Sequence, residues 1–194
     1  MHGSNNVTKN YIITTNPGTL TITPKAVTVT ADNKSREYNK ENPELTAKTE
    51  GTLGSDKVTY TLSTTAAKTS PVGKYPITVT GAATQGNYTV TFKNGTLTVT
   101  DNTSDLTVEA VNYKDTYDAK PHAGGGTASL SGAALTYRVK GENDEWGEWS
   151  ETAPSITNVG KIEYQVKASL AGYKAAIADG TLEVTPKAVT VTAD

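Results

Sequence analysis

The chain has 194 residues, a formal net charge of −2, 35% hydrophobic residues, two histidines and no cysteine. That apolar content argues against disorder, and no apolar run reaches the length of a membrane span. Neither half carries a basic stripe with interleaved aromatics, which removes nucleic acid from the expected partners, and a single internal histidine, His122, leaves no His pair for zinc and no Ser-His or Cys-His triad.

Thr is abundant, at 35 residues, and alternates with Val, Ile, Leu and Tyr as half-buried strands require. Residues 1–23 are read as a tag (Met1-His2-Gly3-Ser4) followed by the last hairpin of a preceding repeat. That hairpin would run from a strand near Tyr11–Thr15 through a turn at Asn16-Pro17-Gly18 into a strand at Thr19–Thr23. A first module spans residues 24–100. Val27 and Val29 give its opening strand an apolar face, and further strands are predicted near Glu44–Thr49, Val58–Leu62, Lys74–Thr80, Tyr88–Phe92 and Thr96–Thr100. Pro76 implies an edge strand or an outward position, and Asn94-Gly95 reads as a two-residue hairpin turn.

Residues 101–185 form a second module. It opens with Leu106–Tyr113, where the apolar phase shifts between Val108 and Val111 and predicts a bulge. Strands are expected near Ala134–Lys140, Trp149–Thr152, Lys161–Ser169, Tyr173–Ile177 and Thr181–Thr185. Residues 186–194 read as the first strand of a following repeat.

The repeats carry most of the information. Leu20–Asp32 (LTITPKAVTVTAD) returns almost unchanged as Leu182–Asp194 (LEVTPKAVTVTAD). The glycines of the shared Gly-Thr-Leu motif, Gly18, Gly95 and Gly180, stand 77 and 85 residues apart, each the size of one small β domain. Tyr38 aligns with Tyr117, and Val72-Gly73-Lys74 with Val159-Gly160-Lys161. Only Pro24-Lys25 separates one module's last strand from the next one's first, and so short a joint, stiffened by proline, limits swing. The expected architecture is all-β: tandem Ig-like β-sandwich repeats in an elongated arrangement.

Val27-Thr28-Val29-Thr30-Ala31-Asp32, Tyr38 with Asn42-Pro43-Glu44-Leu45-Thr46, Pro71-Val72-Gly73-Lys74-Tyr75, Gly86-Asn87-Tyr88-Thr89-Val90 and Gly95-Thr96-Leu97-Thr98-Val99 together resemble the bacterial MBG repeat family. The second module is similar to a related Ig-like repeat of Gram-positive surface proteins. It matches through Tyr117-Asp118-Ala119-Lys120-Pro121-His122, Leu135-Thr136-Tyr137, Glu148-Trp149-Ser150 and Asn158-Val159-Gly160, with Ala119 where that pattern usually has Gly. The resemblance implies an extracellular segment at the bacterial cell surface or cell wall, a spacer or adhesin part, with no shared catalytic residues.

On this reading the chain is not an enzyme; its partners are neighbouring repeats of the same chain, and its truncated ends invite head-to-tail self-association. Pro24, Lys25 and Pro186 are the joint residues. Asp101, Asn102 and Asp105 cluster at the central joint, where oxygen ligands for Ca2+ are the one cofactor to consider beside none. Trp146 and Trp149, with Asp144, sit in an acidic stretch and support two readings. One is a platform for a host glycan or protein; the other is a hairpin whose Trp149 enters the core while Trp146 shields the turn.

Overall fold

The structure, a computed structural model, describes residues 11, 12 and 14–192. The tag-like residues 1–4 and the final two residues of the terminal repeat lie outside them. Among the described residues the chain is all-β, with strands and no helix.

Eight strands build the first module: β1 (Lys25–Ala31), β2 (Lys34–Glu37), β3 (Ala47–Glu50), β4 (Thr61–Thr64), β5 (Gly73–Thr80), β6 (Thr84–Gln85), β7 (Tyr88–Lys93) and β8 (Gly95–Thr100). They form two sheets, ordered β3-β1-β7-β6 and β2-β8-β5-β4. Strict alternation aims Val27 and Val29 of β1, Ile77 and Val79 of β5, and Leu97 of β8 into one shared core. Each such aliphatic side chain contributes about 1.5–3 kcal/mol through its burial. Opening and closing strands run parallel, β1 beside β7 and β2 beside β8, so the module closes on its own two ends.

That closure corrects one expectation. Asn94-Gly95 is not a hairpin turn, because β7 pairs with β1 and β6 whereas β8 pairs with β2 and β5. The chain passes there from one sheet to the other, and the β1–β2 step at Asp32-Asn33 does the same beside it. Asn33 Oδ1 accepts the Thr96 amide at 2.8 Å, and Asn94 Oδ1 accepts that of Val79 at 3.0 Å. A Cβ at Gly95 would lie 2.8 Å from the Ala31 carbonyl oxygen, so only glycine lets the corners cross. Pro76 does point outward, but β5 is an inner strand; the proline falls where β4 has already ended.

The second module repeats the plan with β9 (Val108–Ala110), β10 (Tyr113–Thr116), β11 (His122–Ala123), β12 (Gly126–Ala128), β13 (Ala134–Val139), β14 (Ser155–Ile156), β15 (Gly160–Ser169) and β16 (Ala176–Thr185). A four-stranded sheet, β10-β16-β15-β13, is accompanied by the pairs β12-β9 and β11-β14. The expected bulge between Val108 and Val111 is instead the corner between β9 and β10. Asn112 Oδ1 accepts the Thr181 amide at 2.7 Å there, the counterpart of Asn33 and Thr96. The two strands expected at Tyr173–Ile177 and Thr181–Thr185 fuse into β16, and the one at Trp149–Thr152 shrinks to a backbone pairing of Ser150 with Tyr137. Tyr164, fully buried, shares its single hydroxyl proton between the Val111 and Gly125 carbonyls and accepts from the Gly125 amide, pinning the glycine run to the corner.

Ala119 adopts φ 63°, the left-handed region where the resemblance places Gly. The turn is kept and the side chain strains it.

Each module has its own core: Val27 to Leu97 in one cluster, Leu106 to Val184 in the other, with no residue in common. The expected terminal strands are not formed. Among residues 11, 12 and 14–24, and in 186–192, none is in a strand, and Leu20, Ile22, Val189 and Val191 are exposed.

Candidate functional site

The joint between the modules gathers polar side chains from both of them. Asn102 is 0% exposed. Its Nδ2 donates to the Tyr38 carbonyl at 3.1 Å and to Asp105 Oδ2 at 2.8 Å, while its Oδ1 accepts the amides of Ser104 at 3.1 Å and Asp105 at 3.0 Å. All four positions an amide side chain offers are thereby used. Its backbone extends the second module: the Asn102 amide donates to the Gly172 carbonyl and the Lys174 amide to the Asn102 carbonyl, both at 2.9 Å. One residue thus ties the turn after β2 of the first module to the turn between β15 and β16 of the second.

Around it, charge and aromatic contacts cross the joint. Lys40 Nζ lies 2.9 Å from both Asp105 oxygens, and Thr103 Oγ1 donates to Glu37 Oε1 at 2.6 Å. The Lys40 ammonium, then the Asn102 amide, holds the Asp105 carboxyl below the usual range, and Asp105 raises Lys40 in return. Both groups are solvent-exposed enough that the pair fixes orientation more than it adds stability. Tyr38 meets Tyr173, whose hydroxyl accepts from Asn39 Nδ2 at 3.2 Å. Gly172 has φ +83° and a Cβ there would stand 2.6 Å from the Tyr38 ring, so glycine is needed for both conformation and approach.

The three residues expected as calcium ligands are used differently. Asp105 is occupied by Lys40 and Asn102, and Asn102 by the four contacts above. Asp101 is exposed beside a cleft of about 320 Å3, which Pro71, Val72 and Ala171 also line. Among the described residues no three His, Cys, Asp or Glu side chains gather in a metal-binding group. Of the expected joint residues, Lys25 starts β1, donating its amide to the Asn87 carbonyl at 2.8 Å, while Pro24 and Pro186 are exposed outside any strand.

The tryptophans lie on the outer face of the second module's large sheet, which corrects the expectation that Trp149 enters the core. Neither belongs to the buried cluster. The Arg138 guanidinium sits 4.6 Å from the Trp149 ring centre and 5.2 Å from that of Trp146, and the Lys167 ammonium caps Trp149 at 4.2 Å. Cation–π attraction holds both rings where the core would otherwise compete for them. Asp144, at φ 66°, turns the acidic loop back and pairs with Lys140, which it holds above the ordinary lysine value.

Across this face the strand register makes rows. Arg138, Gln165 and Asp179 stand opposite one another on β13, β15 and β16, and Glu163 faces Thr181 in the next. Arg138 Nε donates to Gln165 Oε1, and Gln165 Nε2 to Asp179 Oδ1, both at 2.8 Å. Trp146 and Lys140 wall a groove of about 450 Å3 over these rows. Sequence reasoning missed Arg138, Gln165, Asp179, Lys40 and Tyr173. The alternation of polar residues along β13 and β15 carried a signal for the first two, and the Tyr38–Tyr117 alignment one for the joint.

Two β modules, each with its last strand paired in parallel to its second strand, and joined by a bonded turn, define the chain's class. Residues 27–98 match the MBG domain (YGX type), a domain of bacterial surface proteins. Among curated proteins none matches the chain. No helix among the described residues is long and apolar enough to cross a membrane.

Proposed function

We propose that the chain is a non-catalytic spacer segment of an extracellular bacterial surface protein. On this reading it is a tandem of Ig-like β-sandwich repeats that carries a distal binding region away from the cell wall, and its principal partners are neighbouring repeats. The observation that supports it best is the saturated Asn102 amide, buried between two modules that otherwise keep separate cores. A spacer needs this combination: modules that fold alone, and a joint whose bonds resist rotation. A buried amide leaves orientation-dependent bonds that cannot be exchanged for water without cost, about 1–3 kcal/mol for each group left unpaired.

Small-angle scattering of the whole chain tests the reading. An extended two-module profile that broadens on Asn102→Ala is the expected result. A compact profile, or one insensitive to the substitution, rejects the spacer role.

A further inference from the structure

We infer that the groove under Trp146 is a binding site for a neutral oligosaccharide. Its floor is the outer sheet face, where two cross-strand rows present an amide and carboxylate (Gln165, Asp179) and a carboxylate and hydroxyl (Glu163, Thr181). Directly opposite residues on adjacent strands stand about 5 Å apart, a spacing that vicinal sugar hydroxyls can bridge. The wall is an indole, flat and apolar, against which the C–H face of a pyranose stacks.

Preorganisation supports the assignment. Gln165 is held from both sides, by Arg138 and Asp179, so the floor groups keep their directions without a ligand. Trp146 is fixed by the backbone: the loop returns along β13 with Trp146 opposite Lys140, and the Gly147 amide donates to the Val139 carbonyl at 3.0 Å. Rigid polar and aromatic groups lose little entropy on binding.

The charge pattern selects among glycans. Lys140 pairs with Asp144 and Glu163, Lys161 pairs with Glu163, and Arg138 lies between two indoles with its Nε committed to Gln165. The two lysines are already matched by carboxylates, and Asp179 and Glu163 line the groove together with Lys140. A sulfated or uronic chain would meet carboxylates whose neighbouring lysines are already paired, whereas neutral hydroxyls find acceptors.

The test is capture of the full chain on an array carrying neutral hexose and N-acetylhexosamine oligosaccharides beside sulfated and uronic ones. Trp146→Ala, Asp179→Asn and Glu148→Ala are run in parallel, with thermal melts to verify folding. Glu148 shares the loop but does not line the groove. The expected result is capture by neutral glycans, weakened about ten-fold or more by Trp146→Ala, as loss of a stacked ring implies. Asp179→Asn, which keeps the side-chain shape and so reads the site even if the tryptophan variant fails to fold, weakens capture likewise, and Glu148→Ala leaves it unchanged. Silence of the native chain across the array, capture confined to sulfated or uronic glycans, or capture indifferent to Asp179→Asn overturns the inference.

Discussion

The Tyr38 ring of the first module stands edge-on to the Tyr173 ring of the second, with centroids 5.3 Å apart and planes at 82°. Edge-to-face pairs of this kind contribute about 0.5–1.5 kcal/mol beyond buried area. Tyr117 occupies the corresponding place in the second module: its amide donates to the Thr185 carbonyl at 2.9 Å, as that of Tyr38 does to Thr100 at 2.8 Å. No aromatic partner reaches Tyr117 among the described residues, and it is 36% exposed.

The pair of tyrosines gives the first prediction a built-in control. Tyr38→Ala and Asn102→Ala should each loosen the joint, by about 1 and about 1–3 kcal/mol respectively, without melting either core. Tyr117→Ala should leave the joint as it is. Rotational correlation times of the two modules by NMR relaxation would diverge in the first two variants; equal tumbling in all three would refute the role assigned to Tyr38.

Acid should act at the same place. Asp105 has its carboxyl pKa depressed in the folded chain by Lys40 and Asn102, so its contribution is complete above the ordinary aspartate value and disappears as pH falls through the depressed one. Joint order, read from inter-module nuclear Overhauser contacts, should persist at neutral pH and fade only in strong acid. Asp105→Asn should remove that pH dependence while keeping the hydrogen bond from Asn102.

Ala119 offers a stabilising change. A residue with a Cβ in the left-handed region costs about 1–2 kcal/mol, and Ala119 sits there at φ 63°. Ala119→Gly relieves it, offset in part by the freer unfolded glycine. The second module's calorimetric transition should move up by a few degrees while the first module's stays in place. A downward shift would mean that the turn is not strained.

Self-association is expected from the terminal segments. Leu20 and Ile22 are 90% and 82% exposed, Val189 and Val191 are 82% and 90% exposed, and both segments carry strand-type alternation without a sheet. Sedimentation velocity should show concentration-dependent dimers or longer head-to-tail species, suppressed by Val189→Lys with Val191→Lys. Monomer at every concentration would exclude pairing of these ends.

Strands with strict alternation were legible in the sequence. β1, β5 and β15 bury every second residue, and period two reads directly from Val, Ile and Tyr. By contrast β2 has the sequence KSRE and no apolar signal; it is a strand because β8 runs beside it, a contact more than sixty residues away. Asn94-Gly95 misled because local turn chemistry is the same whether the flanking strands pair together or part into two sheets. Trp149 misled for a different reason. A large ring gains by leaving water, but Arg138 and Lys167 provide that shelter on the outer face, and cross-strand register is invisible along a single strand. At the joint the sequence located Asn102 and Asp105 and offered them only as oxygen ligands to consider for Ca2+ beside no cofactor; the partners Tyr38, Lys40 and Gly172 come from remote segments and left no local signal.

Lys25 occupies in the first module the place of Asn102 in the second: Lys25 pairs in parallel with Tyr88 as Asn102 does with Tyr173. By the repeat of Leu20–Asp32, Lys187 has the same place again. Thr23-Pro24-Lys25, Thr100-Asp101-Asn102 and Thr185-Pro186-Lys187 are equal in length, yet a lysine cannot accept the two amides that Asn102 Oδ1 receives. Compliance in a string of such units is therefore graded by the identity of one side chain per seam, and counting intervening residues will not reveal where the string bends.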